Sequence, residues 1–141
     1  MNNYSATATI TINVPAAKVW DALTNPEMVK QYLFGTSVAS DWQKGSPITY
    51  TGEWQGKAYE DKGEILEVEP GKLLKTTYFS SMSGQEDVPE NYSVVTYALT
   101  EENETTTLSI TQENTKDQAS ADQSKQNWDG VLSSLKALLE K

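Results

Sequence analysis

The hydrophobic period changes at Pro15, inside the stretch from Ile10 to Leu33, and this switch constrains the fold more than any other feature. Before it, Ala6, Ala8, Ile10, Ile12 and Val14 alternate with Thr7, Thr9, Thr11 and Asn13, the period of a strand with one apolar and one polar face. After it, Val19, Trp20 and Leu23 follow helical spacing, while Pro15 and Pro26 stand where a first helical turn needs no N–H. Asn25 is placed to cap a second short helix. A half-polar strand followed at once by short helices has to find both its strand partners and the cover for its apolar face further along the chain.

The partners follow from Gly35 onward, where β-rich runs are separated by Gly, Pro and acidic turns. The expected strands are Thr36–Trp42, Ile48–Trp54, Ala58–Glu69, Leu73–Ser80, Tyr92–Thr100 and Thr105–Gln112. Their short connections predict an antiparallel meander. The stretch Ser81–Asn91 reads as a mobile loop. The cover is a C-terminal helix, for which Ser120 and Gln123 supply a capping-box start. Trp128, Val131, Leu132, Leu135, Leu138 and Leu139 form its apolar face, and Asp129, Ser133, Lys136 and Glu140 face water. A helix of about twenty residues is roughly 30 Å long, enough to cross a sheet face.

Composition closes off much chemistry. The 141 residues, 37% hydrophobic, fit one domain with one core. There is no cysteine, histidine or arginine, so disulfides, thiol nucleophiles, zinc fingers and serine or cysteine triads are excluded. Asp, Glu, Lys and Tyr remain as ionisable side chains. A net charge of −9, with every cation a lysine, argues against nucleic-acid binding. No run of apolar residues is long enough to span a membrane and no export signal opens the chain, which gives a cytoplasmic protein as the expectation. The acidic residues Glu60, Asp61, Glu64, Glu67 and Glu69 fall on both faces of one strand and read as solvated carboxylates, and the glycines form no phosphate-binding pattern. No metal or cofactor is called for.

Four segments carry a family resemblance: Pro-x-x-x-Val-Trp-x-Ala-Leu-Thr-Asn-Pro-Glu at Pro15–Glu27, Asp-x-x-x-Gly at Asp41–Gly45, Gly-Glu-Ile-Leu-Glu-Val-Glu-Pro at Gly63–Pro70, and Asn-Trp-Asp-Gly-x-Leu-x-x-Leu-Lys at Asn127–Lys136. In this order they resemble the START-like, or SRPBCC, superfamily of birch-pollen-allergen-like domains, and within it the bacterial branch related to the activator of heat-shock protein 90 ATPase. Tyr32 and Leu33 stand where relatives often carry a tryptophan pair. The resemblance implies an α+β helix-grip fold, in which a curved antiparallel sheet of about seven strands, two short N-terminal helices and the long C-terminal helix enclose an apolar cavity.

It also implies a small hydrophobic or amphipathic ligand in that cavity: a lipid, polyketide or flavonoid-like compound. The inward faces would present Tyr50, Trp54, Tyr78, Tyr97, Ile110, Trp128, Leu132 and Leu135, with Thr76, Gln112 and the tyrosine hydroxyls orienting a polar group. A carrier or sensor without catalytic residues, acting as monomer or weak dimer, is the first reading. The alternatives are a chaperone-interaction module and a cyclase- or hydrolase-type enzyme using Glu or Tyr.

Overall fold

A computed structural model describes residues 4–32, 35–54, 56–79, 86–114 and 117–140. The elements run β1 (Ser5–Ile12), α1 (Ala16–Thr24), α2 (Pro26–Tyr32), β2 (Ser37–Ser40), β3 (Pro47–Trp54), β4 (Lys57–Glu69), β5 (Leu73–Tyr78), a 3-10 turn (Pro89–Asn91), β6 (Ser93–Glu102), β7 (Thr105–Glu113) and α3 (Gln118–Leu139). Seven antiparallel strands form one sheet in the order β1-β7-β6-β5-β4-β3-β2. The curved sheet, the three helices and the long α3 make an α+β helix-grip fold.

The alternation in β1 sets which face is covered. Ala6, Ala8 and Ile12 are buried, while Thr7, Thr9 and Thr11 are exposed and meet hydroxyls of β7: Thr7 with Thr111 at 3.3 Å, Thr9 with Ser109 at 3.1 Å and Thr11 with Thr107 at 3.5 Å. The small Ala6 and Ala8 let α3 pack close over β1. At the end of this edge strand the Lys136 ammonium donates to the Thr11 carbonyl at 2.7 Å, and the Asn13 N–H donates to the Glu140 carboxylate at 2.8 Å. Lys136 and Glu140 therefore tie α3 to the strand edge and are not simply a solvated pair.

The two short helices are closed by residues from elsewhere. Pro15 offers α1 no side-chain cap, and Glu101 of β6 accepts the Ala16 N–H at 2.6 Å instead. Pro26 lacks the N–H that would continue the α1 ladder to the Ala22 carbonyl; the Tyr32 hydroxyl donates there at 2.9 Å. Asn25 caps α2 as expected, its Oδ1 accepting the Glu27 N–H at 3.0 Å.

The register of the sheet is interrupted in β4. Up to Glu64 it pairs with β3, and from Ile65 it pairs with β5, with a register shift between Ile65 and Glu67 that leaves Leu66 as the extra residue. Just before the bulge, a Cβ on Gly63 would lie 1.8 Å from the Thr77 carbonyl oxygen, so only glycine fits. Here the Glu64 N–H turns to the Thr77 hydroxyl, at 2.8 Å, in place of a backbone carbonyl.

Two expectations are corrected, and a third lies partly outside the described residues. The strand predicted over Thr36–Trp42 is only Ser37–Ser40, because Trp42 adopts a left-handed backbone with φ 57°. The capping box at Ser120 and Gln123 does not start α3; Asp117 does, its carboxylate accepting the Ser120 N–H at 2.8 Å. Of the expected Ser81–Asn91 loop, residues 81–85 lie outside the described residues, and Pro89–Asn91 form the 3-10 turn.

Candidate functional site

The concave side of the sheet and the underside of α3 enclose a cavity of about 20 Å³, room for one water-sized sphere. Its wall is Leu23, Val29 and Tyr32 from the short helices, Tyr50, Leu74, Tyr97 and Ile110 from the sheet, and Trp128, Val131 and Leu135 from α3. Helical spacing brings the α3 residues to one face, and strand alternation does the same for the sheet residues. None of these side chains carries a formal charge at neutral pH.

Of the residues expected to line the cavity, Tyr50, Tyr97, Ile110, Trp128 and Leu135 do so. Leu132 is buried in the adjoining core, and Thr76, 2% exposed, packs within the sheet. Gln112 stands behind the wall, where its Oε1 accepts the Trp128 indole N–H at 3.0 Å and its own amide N–H donates to Ser93 at 3.2 Å. Tyr78 is one ring further out, edge-on to Tyr50 with centroids 6.1 Å apart, and its hydroxyl donates to Asp61 at 2.7 Å. Asp61 is thus a half-buried acceptor and not one more solvated carboxylate. The side chain of Trp54 lies outside the described residues.

Sequence reasoning did not place Leu23, Val29, Tyr32, Leu74 and Val131 in the wall. Leu23 and Val131 could be read as apolar helix positions and Leu74 as one face of a strand. Nothing local to Tyr32 shows that its ring reaches the sheet. The Tyr97 and Trp128 rings meet edge to face, centroids 5.9 Å apart and 89° between planes, so sheet and helix touch through aromatic geometry.

The phenols are electrically silent at neutral pH. Burial pushes the Tyr97 hydroxyl up to about 12. It raises Tyr50 well above its ordinary value, with further contributions from Tyr97 and Tyr32, and raises Tyr32 as well. All three therefore remain protonated hydrogen-bonding groups. The wall offers apolar surface and hydroxyls. Among the described residues no cluster of three or more carboxylates could hold a metal ion.

A second hollow of about 390 Å³ lies on the outer side of the sheet by the β4 bulge, bordered by Lys62, Leu66, Thr77, Asp87 and Tyr92. Lys62 and Asp87 form an ion pair there, which Tyr92 joins through a 2.6 Å hydrogen bond to Asp87.

The profile of the family described as activator of Hsp90 ATPase homolog 1-like protein matches residues 13–140. A protein of Cytophaga hutchinsonii, solved in solution, is 45% identical, with TM-score 0.85 and coverage of 99% of this chain and 97% of its own. An Hsp90 activator from Plasmodium falciparum is 18% identical, with TM-score 0.77 and coverage of 97% and 96%. DynU16, a protein of the dynemicin biosynthetic locus, is 20% identical with TM-score 0.81; the alignment covers 99% of this chain and 48% of DynU16. Among curated proteins, none matches the chain. No helix among the described residues is long and apolar enough to cross a membrane.

Proposed function

The chain belongs to the family of activator of Hsp90 ATPase homolog 1-like proteins, and from this membership together with its cavity we propose that it binds a hydrophobic or amphipathic small molecule between the sheet and α3, as a cytoplasmic carrier or sensor. The observation that carries this reading is the enclosed wall itself: uncharged, largely apolar, and edged by the hydroxyls of Tyr50 and Tyr97. Small-molecule sites have this composition. The volume sets the terms of entry. A cavity of about 20 Å³ lies far below the roughly 300–1,000 Å³ of a drug-sized site, so a ligand has to displace α3 or the Tyr97 and Trp128 rings. The association of DynU16 with a biosynthetic locus is in keeping with a fold that handles small molecules.

Titration of the full chain with a panel of apolar and amphipathic compounds, followed by tryptophan fluorescence, tests the reading. Trp128 lies in the wall, so a ligand that enters produces saturable quenching, and the complex raises the melting temperature by mass action. A broad panel without one saturable binder would overturn it.

The family description favours a second reading, a module that acts on a chaperone ATPase. Such a module needs a docking patch, and the outer surface of β1 and β7 is a hydroxyl ladder, with Tyr4 the only exposed large hydrophobic residue among those described. Stimulation of the cognate Hsp90 ATPase by the purified chain would establish this reading. An unchanged rate, without co-purification, would set it aside.

A further inference from the structure

The polar hydrogens of the cavity wall can be counted. Tyr32 spends its hydroxyl on the Ala22 carbonyl and Trp128 spends its indole N–H on Gln112. Tyr50 and Tyr97 both line the cavity, and each hydroxyl is near enough to the other to affect its titration. Each phenol has one O–H to donate, so a pair that bonds mutually satisfies one proton and leaves the other. No further acceptor for this pair occurs among the described residues. A buried donor left without a partner forfeits the hydrogen bond it had with water, so whatever fills the cavity is favoured if it brings an acceptor to this point.

The charge of that acceptor is restricted as well. No lysine contributes to the wall, and the nearest ionic group in the chain of contacts is Asp61, reached from Tyr50 through Tyr78. A carboxylate drawn into this wall would give up its hydration without gaining a cation.

Resting on the cavity-binding reading, we infer that the Tyr50–Tyr97 pair is the specificity element of the site and receives an uncharged hydrogen-bond acceptor, a ketone, ester or phenolic oxygen, on an otherwise apolar ligand, while excluding carboxylates such as fatty acids. Tyr50 reaches the pair from β3 and Tyr97 from β6, so the acceptor is held between two parts of the sheet that are not hydrogen-bonded neighbours.

Three naphthalenes of similar size test this on the full chain at neutral pH: 2-acetylnaphthalene carries a neutral acceptor, 2-ethylnaphthalene none, and 2-naphthoate a carboxylate. One hydrogen bond of about 1.4 kcal/mol corresponds to tenfold in affinity, so the ketone is expected to bind roughly tenfold more tightly than the hydrocarbon. The naphthoate is expected to bind more weakly than either. Either tyrosine alone still carries one O–H, so the deciding variant is the double substitution Tyr50→Phe with Tyr97→Phe, which keeps the ring volume, removes both donors and should bring ketone affinity down to that of the hydrocarbon. Equal binding of ketone and hydrocarbon, naphthoate binding as tight as that of the ketone, or a double Phe variant that retains the ketone preference would overturn the inference and leave cavity binding intact; the spare proton would then be held by an ordered water only. Absence of binding by all three would overturn this inference, whereas the broad panel decides the cavity reading itself. The wild-type ligand series stands even if a variant fails to fold.

Discussion

At Glu140 one carboxylate oxygen takes hydrogen bonds from two directions, the Lys136 ammonium at 2.6 Å and the Asn13 backbone N–H at 2.8 Å. These donors, Lys136 first, hold the carboxyl below its ordinary value of 4.5. A carboxyl whose pKa is depressed on folding contributes stability above its unfolded pKa, and loses it as pH falls through the folded one. We expect Glu140→Gln to melt below the wild type at neutral pH, and the gap between them to close as pH drops below the ordinary carboxylate range. Melting curves from neutral to acidic pH check this; a gap that persists into acid would show that the charge at Glu140 is not what matters. The i, i+4 spacing of Lys136 and Glu140 is legible in the sequence, but their bonds to Thr11 and Asn13 are not, since more than a hundred positions separate the partners. Tyr32 is a similar case, because its bond to Ala22 answers a defect created by Pro26.

Element identity was readable wherever the hydrophobic period was sustained. The strict alternation of β1 and the three- and four-residue spacing in α3 place their buried residues correctly, because backbone geometry alone decides which side chains share a face. Ends were less readable. Ser120 has the right chemistry for a cap and the right neighbour in Gln123, yet Asp117 wins because its carboxylate reaches the Ser120 N–H three residues on. Asp117→Ala should therefore cost about 1 kcal/mol, within the usual range for a lost cap, and Ser120→Ala much less. Denaturant titration of both variants decides between the two starts; a larger loss at Ser120 would restore the capping box. Trp42 ended β2 early for a reason no strand propensity contains, its left-handed backbone held by a 3.1 Å bond from its N–H to the Ser40 hydroxyl.

For the molecule as a whole, β4 joins the two parts of the sheet, pairing with β3 through Glu64 and with β5 from Ile65. Gly63 is where this handover needs the backbones closest, and Gly63→Ala sets a methyl against the Thr77 carbonyl. The expected cost exceeds the ~1 kcal/mol that a glycine usually loses to alanine in the opposite direction, and at ~3 kcal/mol or more should reduce cooperative unfolding measured by urea titration. A neutral substitution would mean that the sheet can straighten here. The sequence marks Gly63 as a bend but says nothing of how tight it is. The cavity volume was hidden for the same reason: it depends on how far α3 stands from the sheet, a distance set by Ala6 and Ala8 on one side and the Tyr97–Trp128 contact on the other. The pairing of Ser5 with Glu113 and Thr7 with Thr111 has a further consequence, in the order of synthesis. Made at about 5–20 residues per second, roughly a hundred residues must follow β1 from the ribosome before its partner strand exists, so β1 waits on the order of 5–20 s. It waits without a charged side chain anywhere before Lys18, an alternating Ala, Thr and Ile segment of the kind that pairs with its own copies on neighbouring nascent chains.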